Sequence, residues 1–211
     1  SCTLNRIILN IGGIANITIL KKNTPIHEVS AYDTGPGNMV IDALMKRLYD
    51  KEYDENGLIA SSGNVSEDLI TGLFEHPFFR KPIPKSTGRE EFGGSFVDNI
   101  IKSGERYKLS PEDIIATATE LTARSIFDSL KFASLRNDEV DELLISGGGS
   151  QPAKRVAEHG RRFAGHHAAE LDAPVLDAAV RGGGDRGDEP DGRARLGGAD
   201  VPGAADHRGA G

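Results

Sequence analysis

Cysteine and long apolar runs are scarce in this chain of 211 residues, and each scarcity excludes a class of protein. The one cysteine, Cys2, excludes an internal disulfide, which fits a reducing compartment. No apolar run approaches the roughly 18 residues that cross a bilayer as a helix. The opening SCTLNRIILNIGG also lacks the basic start and cleavage site of a signal peptide. We therefore expect a cytoplasmic protein with no membrane partner.

Clusters of basic residues are missing as well. The formal net charge is -7, and no run of Lys and Arg is interleaved with aromatic residues. This balance argues against nucleic acid as the main partner. The hydrophobic fraction of 37% is enough to bury one good core or two small ones.

The composition changes near residue 155. From Arg155 to Gly211 there is no Ile, Lys, Ser, Thr, Asn, Gln, Tyr, Cys, Met or Trp, although all of these except Trp occur earlier. The segment is built almost wholly from Gly, Ala, Arg, Asp, Pro, Val, Glu and His, which share GC-rich codons. We therefore hypothesise that 152–211 is a frame-shifted or otherwise foreign translation. A genuine Gly/Ala/Arg-rich disordered tail is the alternative, and the coding DNA distinguishes the two. In both cases we expect little packed core there, with a short helix possible only at 169–180.

Strand patterns dominate the start of the chain. RIILNI at 6–11 and ANITIL at 15–20 are β-branched apolar runs on either side of Gly12-Gly13, a pattern that predicts a hairpin. IHEVSAYD at 26–33 predicts a third antiparallel strand. Much later, ELLIS at 142–146 predicts a strand that leads directly into three glycines.

Helical spacing of apolar residues alternates with these strands. Asn38 can cap a helix through its side-chain oxygen, and a second helix is expected from Ser66 to Glu75. The clearest helix begins at Ser110-Pro111, a capping serine followed by proline and two acids. The carboxylate of Asp33 is thus expected at a strand end, before a loop that enters a helix. The layout is α/β, with glycine loops at strand ends, where such folds bind ligands.

The glycine clusters have a structural interpretation and a functional one. Gly12-Gly13 is compatible with a plain hairpin turn, and Gly147 to Gly149 with a plain strand exit. Taken together with Asp33, they are expected to converge in one cleft, where glycine lets the backbone approach a phosphate. Neither GxxxxGK[ST] nor GxGxxG is present, so no P-loop or dinucleotide fold is indicated.

Five segments carry a more specific signal. They are NIGGIANITIL at 10–20, AYDTGPGNMVIDA at 31–43, PKSTGREEF at 84–92, TATELTARSI at 117–126 and ELLISGGGS at 142–150. In order and spacing they resemble the anhydro-N-acetylmuramic acid kinases, sugar kinases of the actin-like ATPase superfamily. The resemblance covers about residues 4–151. It implies an actin-like ATPase (ribonuclease H-like) lobe over 1–151, with a mixed sheet, flanking helices and a poorly structured tail.

The resemblance also implies a reaction. Such enzymes use ATP and water to open the 1,6-anhydro ring of anhydro-N-acetylmuramic acid, giving the 6-phosphate and ADP in cell-wall sugar recycling. Asp33 matches the acid that serves as general base for the attacking water. Mg²⁺ is expected to arrive with the nucleotide. The resemblance further implies a homodimer.

Binding residues are carried over in the same way. The phosphate-contacting hairpin and the adenosine loop match six residues, which are Gly12, Gly13, Asn16, Gly147, Gly148 and Gly149. The sugar side matches seven more, which are Thr34, Gly35, Asn38, Lys85, Ser86, Thr87 and Arg89. A solvated loop with internal ion pairs remains an open interpretation of KSTGRE.

Some family positions favour a structural role. Asp42 and Arg124 lie within amphipathic helices, so we expect each to form a structural ion pair. His27 and His76 have no partner at ligand spacing and are expected to be ordinary surface residues.

The sequence also departs from the family. Family members begin with a first lobe whose GTSxDG-type loop holds the ATP phosphates, and this sequence has no such loop. We therefore expect a C-terminal lobe that has little or no activity by itself, because transition-state stabilisation needs groups from both lobes. The alternatives are a non-catalytic nucleotide-binding module of the same superfamily and a gene remnant without a product.

Overall fold

The structure is a computed structural model that describes residues 3–133, 140–148 and 193–195. Its centre is a five-stranded mixed sheet in the order β3-β2-β1-β4-β5. The strands are β1 (Arg6–Ile11), β2 (Ile14–Leu20), β3 (Ser30–Pro36), β4 (Glu142–Ser146) and β5 (Arg193–Arg195). Strand β1 pairs with β4 in parallel, and the other neighbours are antiparallel.

Seven helices occur in the described ranges. They are α1 (Asn38–Tyr49), α2 (Leu58–Ser62), α3 (Glu67–Phe74), α4 (Pro77–Arg80), α5 (Arg89–Phe92), α6 (Gly94–Arg106) and α7 (Pro111–Ala133). Short 3-10 segments occupy Ile26–Glu28 and Glu55–Gly57. The α/β class and the mixed sheet with flanking helices are therefore confirmed.

The alternation of the strands places one face of the sheet in the core. Ile7, Leu9 and Ile11 of β1 are each 2% exposed, and the intervening residues are half-buried. Ala15 and Ile17 of β2 continue this buried face, which packs on Ile126 of α7. A second core lies among the helices and includes Ile115, Ala118 and Leu121 of the same helix. Helix α7 thus joins both cores, as its long apolar stripe predicts.

Several sequence predictions are confirmed. Strands β1, β2 and β4 lie within one residue of their predicted bounds. Helix α3 begins after Ser66, whose hydroxyl accepts a hydrogen bond from Leu69 N. Ser110 Oγ likewise accepts from Asp113 N at the start of α7. The predicted helix at 169–180 and the rest of the 152–211 segment, apart from β5, lie outside the described residues.

The third strand is present and antiparallel to β2, but three predictions around it are wrong. Residues Ile26–Glu28 form a 3-10 turn, and β3 begins only at Ser30, because Ile26 is 89% exposed and has no sheet face to pack against. Strand β3 then runs past Asp33 to Pro36, so the acid lies inside the strand. Asn38 is the first residue of α1, not its cap, and Gly37 occupies the cap position without a side-chain bond.

Candidate active site

Three glycine segments meet at one edge of the sheet. Strands β1, β3 and β4 all end there, since β1 and β4 are parallel and β2 reverses the chain between β1 and β3. The residues involved, called the glycine edge below, are Gly12, Gly13, Gly37, Gly147 and Gly148. Loops at such strand ends are the usual ligand sites of α/β sheets.

The hairpin and the start of α1 are joined by backbone hydrogen bonds. Gly37 N donates to Gly13 O at 2.9 Å, Asn38 N to Gly12 O at 2.9 Å and Met39 N to Gly13 O at 3.1 Å. The first donors of α1, which usually lack partners, are therefore satisfied by the hairpin carbonyls. This contact requires glycine, because a Cβ on Gly37 would lie 2.3 Å from Gly12 O. Asn38 needs no capping role for the same reason.

The end of β4 packs against the same hairpin. Gly147 has a φ of +94°, and a Cβ there would lie 2.5 Å from Ile11 O and 2.6 Å from Asn10 Oδ1. Glycine is thus required twice, by conformation and by space. A Cβ on Gly148 would lie 3.8 Å from Asn38 Nδ2, so this loop also reaches α1. Gly149 lies outside the described residues.

The hairpin glycines are the part of this edge best suited to bind an anion. Gly13 is exposed and Gly12 half-buried. Among the backbone bonds outside helices and strands in the described ranges, neither glycine N–H acts as a donor. Backbone N–H groups in such a turn can bind phosphate oxygens.

A row of polar residues crosses the sheet beside this edge. Asn10 pairs with Ser146 of β4 and with Asn16 of β2, and Asn16 pairs with Asp33 of β3. These positions alternate with the buried residues of their strands, so the row lies on the face opposite α7. Asn16 is three residues from Gly13, which places it about 10 Å from the hairpin turn.

Asn10 and Ser146 were not among the predicted site residues. The period of two in LNIGG and LLIS places each on the less buried face, and this signal was available in the sequence. What it could not supply is the register that aligns them with Asp33.

The Asp33 carboxylate is held by a segment from elsewhere in the chain. Its Oδ2 accepts hydrogen bonds from Thr87 N at 2.8 Å and from Ser86 Oγ at 3.0 Å. Asp33 N in turn donates to Lys85 O at 2.9 Å. Residues 85–87, called the Asp33 clamp below, thus lie along the free edge of β3.

The clamp is itself anchored on both sides. Lys85 Nζ donates to Phe78 O at 3.3 Å and lies 4.4 Å from the centre of the Phe78 ring, and burial of this ammonium lowers the pKa of Lys85. Thr87 Oγ1 donates to Glu91 Oε2 at 2.7 Å. Glu91 also pairs with Lys81, and the bonds from Lys81 and Thr87 lower the pKa of Glu91.

Two predicted sugar-side residues are buried in the protein. Thr34 is 1% exposed, and its hydroxyl donates to Ala15 O at 3.2 Å. Gly35 packs so closely on Ser125 that a Cβ would lie 2.9 Å from its Oγ. These contacts favour a supporting role for both. Arg89, on α5, is exposed.

The remaining family positions have mixed outcomes. Arg124 forms the predicted structural ion pairs, with Glu67 at 2.6 Å and Glu120 at 2.7 Å. For Asp42 the prediction is wrong, since none of the ion pairs among the described residues includes it, and burial raises the pKa of its carboxyl. The prediction that His76 is an ordinary surface residue is wrong, because it is half-buried and its Nδ1 caps α4 by accepting a hydrogen bond from Phe78 N at 3.3 Å.

Comparison with known proteins assigns the chain to a family. The family model "Anhydro-N-acetylmuramic acid kinase" matches residues 2–178. The chain belongs to the anhydro-N-acetylmuramic acid kinase family. Proteins of that name are 46% identical over 142 residues in Salinibacter ruber and 45% over 146 residues in Bacillus cereus strain Q1. A third, from Clostridioides difficile strain 630, is 45% identical over 147 residues.

The aligned region makes up most of this chain but a smaller fraction of each relative. It covers 67% to 69% of this chain but only 36% to 38% of each of these relatives, so the chain spans little more than a third of their length. The fold and site of this kinase-family chain are thus comparable with one part of each relative. Within the described ranges, no helix has both the length and the hydropathy to span a membrane.

Proposed function

We propose that the chain carries the water-activating base of an anhydro-N-acetylmuramic acid kinase. The proposed reaction uses ATP and water to open the 1,6-anhydro ring of anhydro-N-acetylmuramic acid, giving the 6-phosphate and ADP. One observation carries this proposal: in a chain of this family, a half-buried carboxylate, Asp33, is held by two hydrogen bonds on the strand next to the one that leaves the glycine hairpin.

Asp33 is the proposed general base. It takes a proton from water, and the water oxygen bonds to the anomeric carbon. The bond from that carbon to oxygen 6 breaks, and oxygen 6 takes the γ-phosphoryl group as ADP leaves. A base must lie within about 3 Å of the atom it deprotonates, so the two bonds that orient Asp33 Oδ2 support this role.

The glycine edge is the proposed nucleotide site. Gly12, Gly13 and Asn16 are proposed to contact the phosphates, and Gly147 to Gly149 the adenosine. Support comes from the hairpin N–H groups and from the close packing that forbids a side chain at Gly147. Mg²⁺ bound with the nucleotide supplies charge neutralisation in phosphoryl transfer, and the oxygens of Asn16 and Asp33 are of the type that it accepts.

The sugar side is proposed to lie around Asp33. Ser86 and Arg89 are exposed and Asn38 is half-buried, so these three are the best placed to touch the sugar directly. The other predicted sugar-side residues are proposed to support the site through contacts inside the protein. They are Thr34, Gly35, Lys85 and Thr87, which contact Ala15, Ser125, Phe78 and Glu91 respectively.

We also propose a cytoplasmic homodimer. The single cysteine supports a reducing compartment. The dimer rests on the family resemblance alone, and measurement of the mass in solution by light scattering tests it.

Calorimetric titration of the full chain, first with ATP and then with 1,6-anhydro-N-acetylmuramic acid, tests the function. Binding of each ligand is expected, and Asp33→Asn should weaken binding of the sugar more than binding of ATP, because β2 and β1 lie between the strand of the acid and the strand that leads to the adenosine loop. Any release of ADP in the presence of both ligands should vanish in Asp33→Asn. Binding of ATP with no binding of the sugar would favour the non-catalytic nucleotide-binding module instead.

A further inference from the structure

The Asp33 carboxylate is oriented by the Asp33 clamp, which lies more than fifty residues away in sequence. Both side-chain hydrogen bonds end on the same oxygen, Oδ2. Among the described residues no hydrogen bond reaches Oδ1. One carboxylate oxygen is therefore occupied by the protein, and the other is left for a ligand or water.

The shorter of the two hydrogen bonds to Oδ2 comes from Thr87, a residue that is itself in contact with Glu91. Thr87 N, at 2.8 Å, is a backbone group of a residue whose side chain has a hydrogen bond of its own. Glu91 accepts the Thr87 hydroxyl at 2.7 Å and is itself paired with Lys81. Ser86, by contrast, is exposed, and its hydroxyl is freer to rotate.

We propose that Thr87, held by Glu91, is a positioning residue for Asp33, so that Oδ1 is the oxygen that accepts the proton from water. The identity of Oδ1 as the reactive oxygen rests on the proposed function, whereas the positioning role of Thr87 does not. In the proposed step the water proton moves to Oδ1 while Oδ2 keeps its two hydrogen bonds. The water oxygen bonds to the anomeric carbon as the bond from that carbon to oxygen 6 breaks, and oxygen 6 takes the γ-phosphoryl group of ATP. Misplacement of a catalytic group by about 1 Å can lower a rate a hundredfold, which gives such positioning its value.

The chain offers a matched pair of substitutions for the test. Glu91→Gln weakens the acceptor of Thr87 and removes the charge that pairs with Lys81. Glu90→Gln changes the neighbouring residue of α5, which is exposed and makes no bond to Thr87. Thr87→Val removes the hydroxyl but keeps the N–H, and Thr87→Ser restores the hydroxyl.

The measurement is the Thr87 amide proton signal of the full chain, followed by NMR as the pH changes. An amide bonded to a carboxylate shifts when that carboxylate is protonated, and Asp33→Asn identifies this titration by abolishing it. We expect Glu91→Gln and Thr87→Val to reduce the amplitude at least about twofold, since the loss of one hydrogen bond changes an equilibrium severalfold. Glu90→Gln and Thr87→Ser should retain it.

Equal amplitudes in Glu91→Gln and Glu90→Gln would overturn the positioning role. Addition of 1,6-anhydro-N-acetylmuramic acid tests whether Oδ1 is the reactive oxygen. The Thr87 amide signal should stay within its free range while the Asp33 carboxyl ¹³C signal moves; loss of the Thr87 bond would mean that Oδ2 is the reactive oxygen. If the sugar moves no signal, the proposed function fails for this chain while the titration still decides the role of Thr87.

Discussion

The glycine edge and the Asp33 clamp are held in place by different kinds of contact. At the glycine edge, backbone donors and acceptors meet directly, and the contact exists because Gly37 and Gly147 have no side chain. The clamp, by contrast, is anchored to the rest of the protein by side chains, through the bonds of Lys85 to Phe78 O and of Thr87 to Glu91. The first region is therefore sensitive to atoms that are added, and the second to atoms that are removed.

The largest effect is expected from adding one methyl group at the glycine edge. Gly37→Ala places a Cβ 2.3 Å from Gly12 O and 3.1 Å from Ala15 N, both backbone atoms that cannot rotate away. We expect a loss of about 2–4 kcal/mol in the free energy of unfolding, measured by urea denaturation.

Gly72→Ala is the matched control for that substitution. Gly72 lies within α3, and a Cβ there has no heavy atom within 4 Å. The same methyl group should therefore stabilise the protein, by about 0.5–1 kcal/mol. Similar losses at the two positions would show that close packing at the hairpin is not what requires Gly37.

An intermediate effect is expected where α7 supports the glycine edge. Thr122 is 3% exposed, and its hydroxyl donates to Pro36 O at 3.0 Å, just before Gly37. Thr122→Val removes this bond and leaves a buried carbonyl without it, which costs about 1–3 kcal/mol of unfolding free energy. In the control, Thr119→Val, the hydroxyl lost is half-buried and bonds only to Ile115 O of its own helix, so a smaller change in the urea midpoint is expected.

The smallest effect is expected from a change of pH, which should loosen the Asp33 clamp but not the glycine edge. Interactions with Lys81 and Thr87 lower the pKa of Glu91, so their stabilisation is present above the unfolded value of about 4.3 and is lost as the pH falls through the lowered folded value. Hydrogen exchange of the Thr87 amide should therefore become faster in acid relative to that of Met39, whose bond to Gly13 involves no titrating group. The difference between wild type and Glu91→Gln should shrink over the same range; a constant difference would contradict the role of the Glu91 charge.

The sequence was sufficient for the elements whose signals are local. The alternation of β1 and the Ser110-Pro111 start of α7 are both set by neighbouring residues, and both predictions are confirmed. The third strand was predicted to begin too early, because Ile26 and Val29 have an apolar pattern but are exposed and have nothing to pack against. Helix α6 was not predicted, since Gly93 and Gly94 at its start give no capping signal although Phe96 and Ile100 have helical spacing.

The candidate site was only partly predictable for a related reason. Asp33 and the glycines stand out in the sequence because acids and glycines beside apolar runs are conspicuous. The partners of Asp33 lie at 85–87, and only the tertiary fold brings them together. The same holds for Asn10 and Ser146, whose alignment with Asp33 depends on register across four strands.

The bond from Asp33 N to Lys85 O also affects how the protein behaves towards other copies of itself. Strand β3 is an edge strand, and an edge strand with unpaired N–H and C=O groups is a template for strands of other molecules. The clamp occupies this edge at its centre, so intermolecular pairing there must first displace residues 85–87. Variants that loosen the clamp should consequently be harder to keep in solution at high concentration, even where their fold is intact.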